Sequence, residues 1–100
     1  MSSSGVKPEQ FQQVIDHVAR RIGELRTHAG LTQAEVAERI GTTVSNYQRI
    51  EHGLQNLTIE IMVRVAGAIG VRTTELFKPL KKPGLKRRRG RPSKNKAKNP

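Results

Sequence analysis

The chain has 100 residues, enough for one ordinary domain, with 19 Lys plus Arg against 8 Asp plus Glu and a formal net charge of +11. It has no cysteine, which excludes a disulfide framework, a thiolate metal site and a cysteine nucleophile, and favours a reducing compartment. No apolar run approaches the roughly 18 residues that span a bilayer, and MSSSGVKPEQ at the start lacks the apolar core of a secretion signal, so a cytoplasmic protein with no membrane partner is expected.

Residues 1–8, ending in Pro8, read as a flexible lead-in. Phe11, Val14, Ile15, Val18, Ile22 and Leu25 then recur at helical spacing, which predicts a first helix over roughly 9–29, closed by Gly30. Thr32 and Glu35 form a capping-box pattern ahead of a second helix, 33–40, with Val36, Ala37 and Ile40 facing inward and Gly41 ending it. Thr42 and Thr43 offer another cap. A third helix follows over 44–52, with Tyr47 and Ile50 inward and Gly53 at its end. Residues 54–57 form a loop, and Thr58 caps a fourth helix whose stripe is Ile59, Met62, Val65, Ala66 and Ile69, up to Gly70. Ile61 and Val63 lie off that stripe and suit either a subunit interface or a wide core face. A short turn from Thr74 to Phe77 drops Leu76 and Phe77 onto the core. Gly23 and Gly67 sit inside helices, where each costs roughly 1 kcal/mol relative to Ala; both read as points of close packing. There is no strand pattern and no internal repeat, so the expected class is all-α, with about five short helices.

The character changes after the fifth turn. Residues 1–77 hold 8 basic and 8 acidic residues, whereas residues 78–100 hold 11 basic and no acidic ones. The whole net charge sits in KPLKKPGLKRRRGRPSKNKAKNP, which has three apolar residues and prolines at 79, 83, 92 and 100. Such a segment cannot bury enough surface to offset chain entropy. The domain is therefore expected over 9–78 and a disordered, polyanion-seeking tail over 79–100. The aromatics are Phe11, Tyr47 and Phe77, too few for a platform that stacks single-stranded bases.

Two short helices joined by a tight Gly-containing turn form the helix-turn-helix pattern. That order lets the N-terminal face of the third helix enter a DNA major groove and aims the second helix's N-terminus at a phosphate. LTQAEVAERIGTTVSNYQRIEHG, residues 31–53, resembles the Cro/repressor-type (XRE-like) helix-turn-helix family. The flanks agree: IGELR at 22–26, IEIMVRVAGAIGV at 59–71 and ELF at 75–77, so the resemblance covers about two thirds of the chain. It implies a compact five-helix, lambda-repressor-like domain that acts as a homodimer on palindromic double-stranded DNA. Position by position, it implies base reading by Val44, Ser45 and Arg49, and backbone contacts from Gln33, Thr43, Asn46 and His52. Val44 is polar in many relatives; here it can make only apolar contact, for instance with a thymine methyl. The family pattern also implies a partly buried ion pair between Arg26 and Glu51. His17, His28 and His52 show no metal-ligand spacing, and no residue constellation suggests catalysis or a cofactor.

In the tail, Arg89-Gly90-Arg91-Pro92 resembles the AT-hook of chromosomal architectural proteins. A·T tracts narrow the minor groove and deepen its negative potential, which draws in arginine. Gly90 allows backbone approach to the groove floor, and Pro92 keeps the chain extended. Lys86, Arg87, Arg88 and Lys94 would then meet phosphates. A solvated tail or a nuclear localisation signal carries a similar basic run. The leading reading is a nucleoid-associated, sequence-specific transcription regulator. Two alternatives remain: an antitoxin that uses the same fold to bind a toxin, and a nucleoid-architecture protein with little sequence preference.

Overall fold

The computed structural model describes residues 7–81. Four α-helices follow in order: α1 (Pro8–His28), α2 (Gln33–Ile40), α3 (Val44–Glu51) and α4 (Ile59–Ile69). A 3₁₀ helix, Thr73–Phe77, completes them, so the fifth helix of the sequence reading is a tighter single turn rather than an α-helix. No strand occurs among the described residues.

Helix starts are fixed by local chemistry. Pro8 occupies the first turn of α1, where its missing N–H is not needed. Thr32 Oγ1 accepts the Glu35 N–H at 3.0 Å while the Glu35 carboxylate accepts the Thr32 N–H at 2.7 Å, a complete capping box. The Glu35 carboxyl is lowered by that backbone N–H and by the Thr32 hydroxyl. Thr43 and Thr58 cap α3 and α4, accepting the N–H of Asn46 at 3.0 Å and of Ile61 at 3.1 Å. Gly41 ends α2 in the left-handed region, φ 77°, which turns the chain directly into α3.

The core gathers one stripe from each element: Val18 and Ile22 of α1, Val36 and Ala37 of α2, Tyr47 and Ile50 of α3, Val65, Ala66 and Ile69 of α4, and Leu76. Each large apolar side chain sealed this way stabilises the fold by about 1.5–3 kcal/mol. Leu25, Ile40 and Met62 pack against this cluster while remaining partly buried.

Four residues expected inside are exposed. Phe11 and Val14 lie on the first turns of α1 beside a cleft of 590 Å³ that Leu57 and Asn56 also line. Ile59 is on the first turn of α4, outside the buried stripe of Val65, Ala66 and Ile69. Phe77 follows Leu76 in a 3₁₀ helix, where neighbours point about 120° apart, so only Leu76 reaches the core. The interior glycines also differ from expectation. A methyl on Gly23 would meet Glu51 Oε1 at 3.6 Å, an ordinary contact, and one on Gly67 would meet nothing within 4 Å. By contrast, Gly53 has φ 71° and its added carbon would stand 2.6 Å from Asp16 Oδ1, so α3 ends in close approach to α1.

A polar strap holds the end of the domain on α1. Arg21 is buried, donating from Nε to the Glu75 carbonyl at 2.8 Å and from Nη2 to the Glu75 carboxylate at 3.1 Å. His17 Nε2 lies 2.8 Å from the Lys78 carbonyl, and the Lys81 N–H meets the Glu24 carboxylate at 3.0 and 3.1 Å. The chain thus stays on α1 to Lys81. The expected disorder of the tail concerns residues that lie, for the most part, outside those described.

Candidate nucleic-acid interface

The site is built on α3. One face of this helix is committed inward through Tyr47 and Ile50. Its first turn faces out: Val44, Ser45 and Asn46 are exposed, with Thr43 beside them at the cap. The Asn46 side chain donates to Thr42 Oγ1 at 2.7 Å, tying it back to the turn between α2 and α3. Arg49 is exposed one turn on, and its Nη2 donates to the Leu54 carbonyl at 3.1 Å. One N–H of the guanidinium is thereby held, and the rest of the fork is left for an acceptor. His52 follows the last turn of α3 and is exposed.

Behind this surface runs a network joining three helices. Arg26 of α1 reaches Glu51 of α3 from Nε at 2.5 Å and from Nη2 at 3.3 Å, and holds the Leu31 carbonyl from Nη1 at 2.8 Å. The Tyr47 hydroxyl donates to the same carboxylate. Gln33 of α2 donates to Glu51 Oε1 at 3.1 Å and accepts from Gln48 Nε2 at 3.0 Å. Burial alone would raise the Glu51 carboxyl, but hydrogen bonds from Arg26, Tyr47 and Gln33 outweigh it and hold the group below its ordinary value. The Arg26 guanidinium is raised by its bond to Glu51, and the Tyr47 phenol is pushed up by burial and by the same carboxylate. The Gln33 side chain is engaged at both its nitrogen and its oxygen, so at this position the start of α2 presents backbone N–H groups rather than a free side chain.

The sequence reading assigned no role to Gln48 or Arg21. Gln48 contacts Gln33 across helices and Arg21 contacts a residue 54 positions away; neither pairing has a local signal. Among the described residues no cluster of three or more His, Cys, Asp or Glu could hold a metal ion, and no helix is long and apolar enough to cross a membrane. Lys86, Arg87, Arg88, Arg89, Gly90, Arg91, Pro92 and Lys94 lie outside the described residues.

Comparison with known proteins gives a consistent picture. A family model described as helix-turn-helix matches residues 22–76. The uncharacterized HTH-type transcriptional regulator y4dJ of Sinorhizobium fredii is 36% identical over 62 residues, 62% of this chain and 80% of that protein. The HTH-type transcriptional regulator RamB of Mycobacterium tuberculosis is 31% identical over 58 residues; the match spans 58% of this chain and 12% of the longer mycobacterial protein. Among solved structures, the restriction-modification controller protein C.AhdI of Aeromonas hydrophila superposes with a TM-score of 0.60 at 29% identity, over 65% of this chain and 97% of that one. SinR, a master regulator for biofilm formation solved in complex with DNA, gives 0.56 at 29% identity, over 61% and 98%.

Proposed function

The chain belongs to the helix-turn-helix family, and from that premise we propose that it is a transcription regulator that binds specific double-stranded DNA as a homodimer. In this reading α3 lies in the major groove. Val44, Ser45 and Arg49 meet base edges, while Thr43, Asn46, His52 and the start of α2 at Gln33 meet phosphates. The observation that carries it is the division of α3: its outer face is exposed to solvent from Val44 to Asn46 and at Arg49, while Tyr47, Ile50 and Glu51 lock the other face to the body. A reading helix needs that rigidity, because base contacts are made only at fixed distance and register.

The tail adds a second mode. Arg89, Gly90, Arg91 and Pro92 enter an A·T-rich minor groove, and Lys86, Arg87, Arg88 and Lys94 neutralise phosphates. Neutralising about six phosphates gives a slope near −5 for log K against log salt from the tail alone. Support comes from the charge distribution, which leaves the body near neutral and gives residues 78–100 all 11 surplus basic groups.

The test uses a duplex enriched from a random pool by the full chain. On it, Arg49→Ala should weaken binding roughly 10- to 100-fold at fixed salt and lower the thermal midpoint only by the loss of its exposed bond to the Leu54 carbonyl. Equal affinity of variant and parent would remove Arg49 from the reading surface. A ratio of specific to non-specific affinity below about a hundredfold would replace regulation with an architectural role.

A further inference from the structure

The last described residues are held on α1 at three points. His17, Arg21 and Glu24 follow at i, i+4 and i+7 and share one face of that helix. Arg21 is buried and binds both the carbonyl and the carboxylate of Glu75. His17 Nε2 lies 2.8 Å from the Lys78 carbonyl. The Lys81 N–H lies 3.1 and 3.0 Å from the two Glu24 carboxylate oxygens. Arg21 Nη1 donates to Glu24 Oε1 at 3.3 Å, which steadies that carboxylate where the strap crosses it.

These three holds differ in kind. Leu76 is sealed in the core and Glu75 is bound by a buried guanidinium, so Thr73–Phe77 belongs to the domain. Lys78 is extended, φ −75° and ψ 159°, as the following Pro79 favours, and the 3₁₀ helix stops there. Beyond that point α1 takes hold of the backbone: the Lys78 carbonyl and the Lys81 N–H, both through exposed bonds. Exposed bonds of this kind add little to a core that Leu76 already closes. What they do fix is the place where the chain leaves the body.

We propose that His17 and Glu24 act as a tether clamp: they set where the basic segment leaves the body, and so how far along a duplex Arg89 and Arg91 reach. The proposal rests on the minor-groove reading above and assigns the residues that set its spacing. From Lys81 to Arg89 there are 8 Cα steps, at most about 26–29 Å of chain. With the strap released, the anchor falls back to Phe77, 12 steps from Arg89, and the limit becomes about 40–43 Å. Both limits hold however the residues between are arranged. The difference of about 13–14 Å corresponds to roughly four base pairs at about 3.4 Å each. A shorter tether concentrates the hook over a near A·T tract and denies it a far one. The distance from repeat to tract thereby becomes part of what the protein recognises.

The test uses the full chain and a set of duplexes. Each carries the enriched repeat in G·C flanks, with one A·T tract of about one helical turn on one side. The near edge of the tract is moved outward one base pair at a time, and affinity is measured at each step. For the parent chain a tract within reach should raise affinity by about tenfold or more, and the gain should end at a definite distance. His17→Ala/Glu24→Ala should keep the gain about four pairs further out. It should bind the tract-free repeat within about twofold of the parent, since neither residue touches α3 or the basic segment. Lys81→Pro removes the N–H that Glu24 accepts, leaves α1 intact, and should extend the limit by up to about three pairs. A parent chain with four residues inserted after Lys81 should match the double variant. An extended limit for the insertion but not for the double variant or for Lys81→Pro would overturn the clamp and leave the minor-groove reading standing. Loss of tract-free binding by the double variant would make the strap part of the fold and would also overturn the clamp. No gain from a tract at any distance, in the parent or the insertion, would overturn both.

Discussion

Glu51 concentrates the electrostatics of the domain. Its side chain is 8% exposed and accepts from Arg26, Tyr47 and Gln33, so α1, α2 and α3 all converge on one carboxylate. Removing the charge leaves the Arg26 guanidinium, itself 17% exposed, without its counter-ion. Glu51→Gln should therefore lose about 3 kcal/mol in chemical denaturation. The pH dependence has a definite sign. A carboxyl held below its ordinary value when folded contributes stability above the unfolded value of about 4.3, and that stability is lost as pH falls through the lower folded value. The parent chain should lose stability through that acid window, and Glu51→Gln should show a flatter acid limb. An unchanged midpoint and an unchanged limb would mean that the contact contributes nothing net.

At the scale of elements, start and stop signals were legible because they are local. Thr32 with Glu35, Thr43, Thr58, Gly41 and Gly70 each act within a few residues, and the ends of α2 and α4 lie where those residues put them. What the sequence did not reveal depends on neighbours. Periodicity identifies Phe11, Val14 and Ile59 as sharing a face with core residues, but not how far the packed elements extend along that face. Arg21 was invisible for the same reason: its partner Glu75 arrives only when the 3₁₀ helix docks. The candidate site was legible as a set of positions on α3, whereas the engagement of the Gln33 side chain by Glu51 and Gln48 required the packed helices. Thr43 separates local stability from reading. Its hydroxyl caps α3, so Thr43→Ala should cost about 1 kcal/mol in thermal or chemical unfolding. A loss within about 0.2 kcal/mol would show the cap to be replaceable by water.

The whole molecule divides into a near-neutral helical body and a cationic segment, and the division suggests two kinds of contact with one ligand. In the proposed function, rigid helices would supply direction, through the outer face of α3, and the basic segment would supply sequence-independent attraction that salt weakens. The central claim is that both engage the same DNA. It is tested most directly by selection from a random duplex pool with the full chain, with Arg49→Ala and with the double variant Arg89→Ala/Arg91→Ala. The account predicts an inverted repeat enriched by the parent chain and flanked by A·T tracts. The tail variant should keep the repeat and lose the flanks, and Arg49→Ala should lose preference at one position in each half-site. Enrichment of A·T tracts alone by the parent chain, with no repeat that Arg49 alters, would contradict it.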